Sequence, residues 1–382
     1  MRIRGAVLEA KGGPFVLEDL DIDEPRPDEI LVRIVASGIC QTDAHARNHD
    51  MPVPMPIVLG HEGAGVVERC GSAVTSLASG DHVVLSYQAC GHCRPCLTGH
   101  AQYCLRGFEA NFGGARLDGT NGLHRTAPAD TEMHGHFFGQ SSFATYALAT
   151  ERNAARIPKD VPLELMAPLG CGLQTGAGAD LNSLQVAAGS SIAIFGTGAV
   201  GLAAVMAARI AGATTIVAVD VNAQRLTLAA ELGATHTINS REQDVAPQLA
   251  NIVRGGVEYI LEITGRPEML AMAVDCVAHM GIVGLIGGAS QGTKAPIEML
   301  SLAWGRQLRG IVQGDAIPQL FIPKLIELHR SGHFPFERLV RFYEWEDIDQ
   351  AFADSRSGEV IKPVLRINKE QSAGNRAQQP EG

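Results

Sequence analysis

Ser191-Ile192-Ala193-Ile194-Phe195-Gly196-Thr197-Gly198-Ala199-Val200-Gly201 is a short apolar run that breaks into glycines. It continues as Ala199–Ala211, a stretch of small apolar helix formers. That order predicts a buried strand, a tight turn and a helix. Gly196 permits the turn, Gly198 lets the backbone approach a phosphate, and Gly201 lets the helix pack on the strand, with Val200 beside it in the first helical turn. The positive end of the helix then faces the turn and suits a pyrophosphate. In a chain with 43 glycines the pattern is weak by itself. Its weight comes from a β-branched run at 214–219 that ends on Asp220, nineteen residues past Gly201. A carboxylate there accepts bonds from the ribose hydroxyls and repels a 2′-phosphate, so NAD is expected rather than NADP. Arg225 reads two ways: it packs beside the ribose, or it tolerates a phosphate.

Working outward, Ala223–Leu232 reads as an amphipathic helix, and residues 257–263 and 282–286 as further strands. Strands alternating with helices predict a parallel α/β sheet. Residues 1 to about 150 differ. Short β-branched runs at 3–8, 15–20, 30–36, 65–69 and 82–85, separated by Gly, Pro and Asp, predict an antiparallel barrel. Residues 105–140 are Gly-rich and aperiodic, and read as a long loop wrapping a site. Near 313 the α/β texture stops. Residues 317–330 and 348–353 read as helices, 360–367 as a strand, and 368–382 as a mobile polar tail.

A chain of 382 residues exceeds a single hydrophobic core, so two domains are expected. Hydrophobic residues at 46% exclude a largely disordered chain. The net charge of −10 argues against a nucleic-acid partner. No apolar run is long enough to span a bilayer, and the N-terminus lacks the apolar core of a signal peptide, so a cytoplasmic protein is the default expectation.

Four of the eight cysteines, Cys90, Cys93, Cys96 and Cys104, fall within fifteen residues. In a small secreted domain they would be a disulfide framework. In a large chain without an export signal they predict a four-thiolate zinc site, structural because no coordination position stays open. Three other segments hold metal-ligand types: Cys40-Gln41-Thr42-Asp43-Ala44-His45, Gly60-His61-Glu62-Gly63 and Gly170-Cys171-Gly172. Together Cys40, His61 and Cys171 make a Cys₂His set with a fourth position for water or substrate. Glu62 is either an occasional ligand or a nearby negative charge. Asp43 either accepts the second ring proton of His61 or caps a turn.

These motifs jointly resemble the zinc-dependent medium-chain alcohol dehydrogenases, over roughly residues 1–367. The resemblance implies a GroES-like β-barrel catalytic domain from both chain ends, 1–172 and 313–382, with a zinc lobe at 86–105. Between them it implies an inserted Rossmann doubly wound parallel sheet at 173–312. Residues 141–146, 170–179, 310–315 and 321–325 resemble the aryl (benzyl) and geraniol alcohol dehydrogenase group. The implied reaction is reversible oxidation of aryl, allylic or terpenoid primary alcohols, with two zinc ions per chain and hydride transfer to NAD. Thr42 would take the alcohol proton and His45 relay it. Gln41, Thr175 and Lys362 would contact the cofactor, with Lys362 near the pyrophosphate. Ser86, Tyr87, Phe137 and Phe138 would line the substrate pocket. A homodimer or homotetramer is implied through an edge strand near 307–312. Two alternatives stay open. One is a glutathione-dependent formaldehyde dehydrogenase, for which Met51 and Phe108 stand where that group carries an acid and an arginine, with Asp50 and Arg106 close by. The other is an NAD-binding structural protein on the same fold.

Overall fold

The computed structural model describes residues 1–126, 132–290 and 292–368. The tail expected from 368 lies outside them from residue 369 onward.

The strand, turn and helix read around Gly196 form as Ser191–Phe195 and Ala199–Ala211. Gly196 has φ +98°, a left-handed conformation that disfavours side chains. A Cβ on Gly201 would come within 1.9 Å of the Gly196 carbonyl oxygen, so helix and turn touch only because that residue is glycine. Ser191–Phe195 is buried along its length and sits inside a six-stranded parallel sheet. The spatial order is His236–Asn239, Thr215–Asp220, Ser191–Phe195, Val257–Glu262, Val277–Leu285 and Gln307–Gly310. A chain that winds from the middle to one edge and then to the other is doubly wound, and ligands bind beyond the strand C-termini where it reverses. Alternation along the strand feeds two cores. Ile192 and Ile194 pack with Leu202 and Leu226 on one face, and Ala193 and Phe195 with Val245, Leu249 and Val274 on the other.

Two other sheets use both chain ends. Arg2–Leu8 lies between Ile57–Val58 and Phe15–Ile22, and Leu123–Arg125 completes that sheet. The larger sheet runs Val340–Glu344, Lys362–Arg366, Glu29–Gly38, Gly63–Cys70, His82–Leu85 and Ala154–Ile157, with Tyr146–Thr150 also on Glu29–Gly38. Ile3, Leu20, Leu31, Leu148, Phe143 and Leu365 share one core between these sheets. Lys362–Arg366 pairs antiparallel with Glu29–Gly38, Val364 opposite Gly38. That pairing brings Lys362 under the segment that carries Cys40.

The 105–140 segment is more ordered than its glycines suggest. It contains the helix Gly107–Phe112, the strand Leu123–Arg125 and a helical turn, Phe137–Gly139. These elements are too short to show a period in sequence. Tertiary contacts hold them: Leu123–Arg125 pairs with Phe15–Ile22, and Phe112 packs on Phe137 and Phe138.

Candidate active site and metal centres

Cys40 is the N-cap of the helix Gln41–Arg47. Asp43 stands at its third position and accepts the Cys40 N–H at 2.9 Å, which fixes the turn. Its other oxygen meets His61 Nδ1 at 2.9 Å and accepts the Gly60 N–H at 3.2 Å. Both expected roles of Asp43, turn cap and histidine partner, are therefore filled by one buried carboxylate. With Nδ1 on Asp43, the lone pair of His61 sits on Nε2. That atom is buried and, among the described residues, has no hydrogen-bond partner. Ligand atoms of Cys40, His61, Glu62 and Cys171 lie within 4.8 Å of one another. An orphaned imidazole nitrogen facing two cysteine sulfurs fits a zinc ion, whose binding would satisfy all three. Without an ion, burial disfavours charge on His61, but Asp43 and Cys40 outweigh it and raise the imidazole to about 10. The Cys40 thiol is held well below the usual range, first by the Cys171 thiol and also by His61 and Lys362.

Glu62, in the ligand cluster, is paired with Lys362. Lys362 Nζ donates to both Glu62 oxygens, at 2.9 and 2.8 Å, and to the Ile39 carbonyl at 3.1 Å. It is 2% exposed and Glu62 is fully buried. Lys362 is thus enclosed beside the cysteine–histidine cluster, with its ammonium on Glu62. The cause is the strand pairing that places the chain end behind Cys40. Glu62 Oε1 also accepts the Gly172 N–H at 3.0 Å. Burial pushes the Glu62 carboxyl up, and the ammonium opposes that. The ammonium, itself raised because Glu62 outweighs its burial, gives the carboxylate two short bonds.

The four-cysteine lobe is preformed. Cys93 Sγ is 3.4 Å from Cys96 Sγ and 3.9 Å from Cys104 Sγ, and Cys90 Sγ is 4.0 Å from Cys96 Sγ. Four thiolates at 2.3 Å around a tetrahedral zinc stand about 3.8 Å apart, so the spacing fits one ion. The N–H groups of Cys90 and Leu105 donate to Cys104 and Cys93 sulfurs. All eight cysteines are free thiols.

Beyond His61 the walls are aromatic. Phe138 stacks on the His61 ring at 4.4 Å and Phe137 meets its edge at 5.6 Å. Phe112 packs on both, and the exposed Phe108 packs on Phe112 at 5.1 Å. The turn that presents Phe137 and Phe138 is left-handed at His136, Phe138 and Gly139 (φ +57°, +54° and +62°). Gln140 anchors it, donating to the His61 and Ser86 carbonyls and accepting the Gly63 N–H. Ser86 Oγ donates to the Gly170 carbonyl at 2.7 Å, next to Cys171. Tyr87 is buried, its hydroxyl donating to the Ala316 carbonyl. A cavity of about 330 Å³ on the far side of the turn is lined by Arg26, Arg116 and His136 and does not include the metal-ligand cluster. Its arginines Arg26 and Arg116 are paired with Asp118 and Glu29. Gln140 and Phe112 were not identified from sequence. No spacing rule marks them, although Phe112 falls four residues after Phe108 on one helix.

Thr42 and His45, three residues apart, share one side of the helix Gln41–Arg47. Thr42 Oγ1 lies 3.8 Å from Cys40 Sγ, and His45 Nδ1 lies 3.3 Å from Asp50. Gln41 is exposed, while Thr175 is buried on the helix that begins after Cys171. In the dinucleotide turn, space beside Gly198 is open. Asp220 accepts Thr197 N–H and Oγ1–H on one oxygen and the N–H groups of Val221 and Asn222 on the other. Asn222 caps the next helix by accepting the Gln224 and Arg225 N–H groups, which places Arg225 in its first turn.

The fold and this donor set define a zinc- and dinucleotide-using oxidoreductase. Residues 26–159 match the alcohol dehydrogenase GroES-like domain, and residues 199–329 the zinc-binding dehydrogenase domain. The chain is 45% identical over 365 residues to geraniol dehydrogenase of Castellaniella defragrans (strain DSM 12143 / CCUG 39792 / 65Phen), covering 95% of this chain and 97% of that one. The chain therefore belongs to the zinc-dependent alcohol dehydrogenases. Among solved structures it resembles an alcohol dehydrogenase zinc-binding domain protein from Burkholderia ambifaria (TM-score 0.94, 56% identity, covering 96% of this chain and 99% of that one). It also resembles benzyl alcohol dehydrogenase from Acinetobacter calcoaceticus (TM-score 0.93, 47% identity, 96% and 100%).

Proposed function

We propose that the enzyme oxidises primary alcohols bearing a flat apolar group, aryl, allylic or terpenoid, reversibly to aldehydes with NAD. The observation that carries this reading is the pair Phe137 and Phe138 against His61. Two rings at the reacting centre favour planar apolar substrates such as benzyl alcohol or geraniol. The names of its relatives agree with that class.

Two zinc ions per chain are part of the proposal. Cys40, His61 and Cys171 hold one, and Cys90, Cys93, Cys96 and Cys104 the other. When bound at the first set, zinc supplies Lewis-acid polarisation of the alcohol oxygen, and NAD accepts the hydride. The chain's own residues do the rest. Asp43 holds the His61 tautomer, Thr42 takes the alcohol proton, and His45, on the same helix side and half exposed, passes it toward solvent. Asp220 receives the adenosine ribose, and its charge opposes a 2′-phosphate. Gln41 and Thr175 flank the cofactor at the catalytic end.

The glutathione-dependent reading is weaker. Arg106 is committed to Glu109 and Asp50 faces His45, while Met51 and Phe108 supply no charge for a peptide carboxylate. A structural protein would not need a buried, orphaned His61 Nε2 facing two thiols.

The edge strand Gln307–Gly310 is exposed along its length. Around it lie Met280, Met299, Leu300 and Trp304, all more than half exposed. An open edge beside apolar surface favours pairing with a second copy, so a homodimer or larger homo-oligomer is part of this proposal. Sedimentation of a monomer at micromolar concentration would remove it.

The deciding experiment is a kcat/KM panel of benzyl alcohol, cinnamyl alcohol, geraniol, ethanol and S-hydroxymethylglutathione, with NAD and with NADP. The planar alcohols with NAD should lead. A preference for S-hydroxymethylglutathione or for NADP would refute the respective assignment. Metal analysis completes it: Cys171→Ser should retain one zinc and its fold but lose turnover, whereas Cys96→Ser should fold poorly.

A further inference from the structure

Residues 313–315 run left-handed through three successive positions, with φ +53° at Gln313, +65° at Gly314 and +49° at Asp315. Two of the three are not glycine, and such conformations persist only where surrounding contacts fix them. Asp315 accepts the Tyr103 hydroxyl from the four-cysteine lobe at 2.5 Å and an Arg309 N–H at 2.8 Å. Gln313 is fixed from the other side: its carbonyl oxygen accepts the Gln174 amide at 3.0 Å. Gln174 Nε2 also lies 2.7 Å from the Gly170 carbonyl and 2.6 Å from Ser86 Oγ, so its two N–H groups are shared among three acceptors. Because the Gln313 oxygen takes that donor, its NH₂ faces the opposite way, and Nε2 lies 3.5 Å from Cys171 Sγ.

We propose that Gln313 is a positioning residue that donates a hydrogen bond to the Cys171 thiolate and so tunes the open metal site. We further propose that the four-cysteine lobe holds it in place through Tyr103 and Asp315. The inference rests on the reading of Cys171 as a ligand of the catalytic metal. A donor on a metal-bound thiolate withdraws electron density from sulfur. The metal it ligates becomes a stronger Lewis acid, and the ligand keeps its orientation. A zinc held by Cys90, Cys93, Cys96 and Cys104 would then serve the reaction as well as the fold, because the segment they would brace carries Tyr103, Tyr103 fixes Asp315, and Asp315 fixes the turn that aims Gln313.

The test replaces zinc at the open site with cobalt(II) and reads the sulfur-to-cobalt charge-transfer bands. Bands that vanish in Cys171→Ser belong to that site. If wild type shows no such bands, the ligand reading fails and takes this inference with it. If it shows them, Gln313→Met, similar in size but without a donor, should move them to longer wavelength, because sulfur without the hydrogen bond gives up its electrons more readily. The same variant should slow single-turnover hydride transfer about 10-fold, the low end of what such partners contribute. Tyr103→Phe, distant from the ligands, should shift the bands in the same direction by less. It decides the matter if Gln313→Met does not fold. Bands unmoved in the folded variants overturn the proposal while leaving the ligand set intact.

Discussion

Lys362→Met is expected to destabilise the protein by about 3–5 kcal/mol, the usual cost of removing one partner of a buried ion pair. Glu62 is fully buried and Lys362 nearly so, and the ammonium meets both carboxylate oxygens. Without it, Glu62 keeps one donor among the described residues, the Gly172 N–H. An ionised carboxylate with a single bond in the interior is far costlier than the pair. The group must then either take a proton or draw water into the space behind Cys40. The Ile39 carbonyl loses its donor as well. A double variant, Glu62→Gln with Lys362→Met, removes the charge that was left uncompensated. It should recover most of the loss, since replacing a whole buried pair is often near neutral. Urea denaturation of the zinc-loaded protein reads both effects. A single variant within 1 kcal/mol of wild type, or a double variant no better than the single, would show that the pair is not an isolated buried unit.

That pair also marks the limit of what the sequence can tell. Cys40, His61, Cys171 and the four-cysteine lobe are legible because each lies in a short motif whose residue types have few other uses. The dinucleotide turn is legible because strand, glycines and Asp220 follow one another within thirty residues. Lys362 offers no such pattern. Its partner lies 300 residues away, and the two meet only because a C-terminal strand pairs with Glu29–Gly38. A lysine in an apolar strand does not name its ion-pair partner when its register is unknown. Gln313 and Gln140 are hidden for the same reason: their hydrogen bonds cross between segments, and an uncharged amide carries no signature. The helix Gly107–Phe112 was missed because six residues are too few for a period to emerge.

Asp180→Asn is expected to stabilise the protein at alkaline pH and to flatten its pH–stability profile. Asp180 lies in the π-helical turn Ala179–Leu184, is fully buried, and has no hydrogen-bond partner for either carboxyl oxygen among the described residues. Burial raises its carboxyl well above the ordinary value, and no neighbouring charge opposes this. In the unfolded chain an aspartate loses its proton near pH 3.9. In the folded chain burial holds that proton to higher pH. Above about pH 4 the folded state therefore binds more protons than the unfolded one, and stability falls as pH rises toward the folded value. The slope is at most about 1.4 kcal/mol per pH unit for one proton. Below pH 4 the contribution is complete. Asparagine has the same shape and does not titrate, so its curve should lie close to wild type near pH 5 and separate from it progressively toward pH 8. An unsatisfied buried polar group costs about 1–3 kcal/mol in either variant, which is why asparagine rather than leucine isolates the proton. The measurement is the denaturation midpoint of both proteins at matched ionic strength from pH 5 to pH 8. Parallel curves would mean that Asp180 is already ionised in the folded protein, satisfied by water or by movement of the turn.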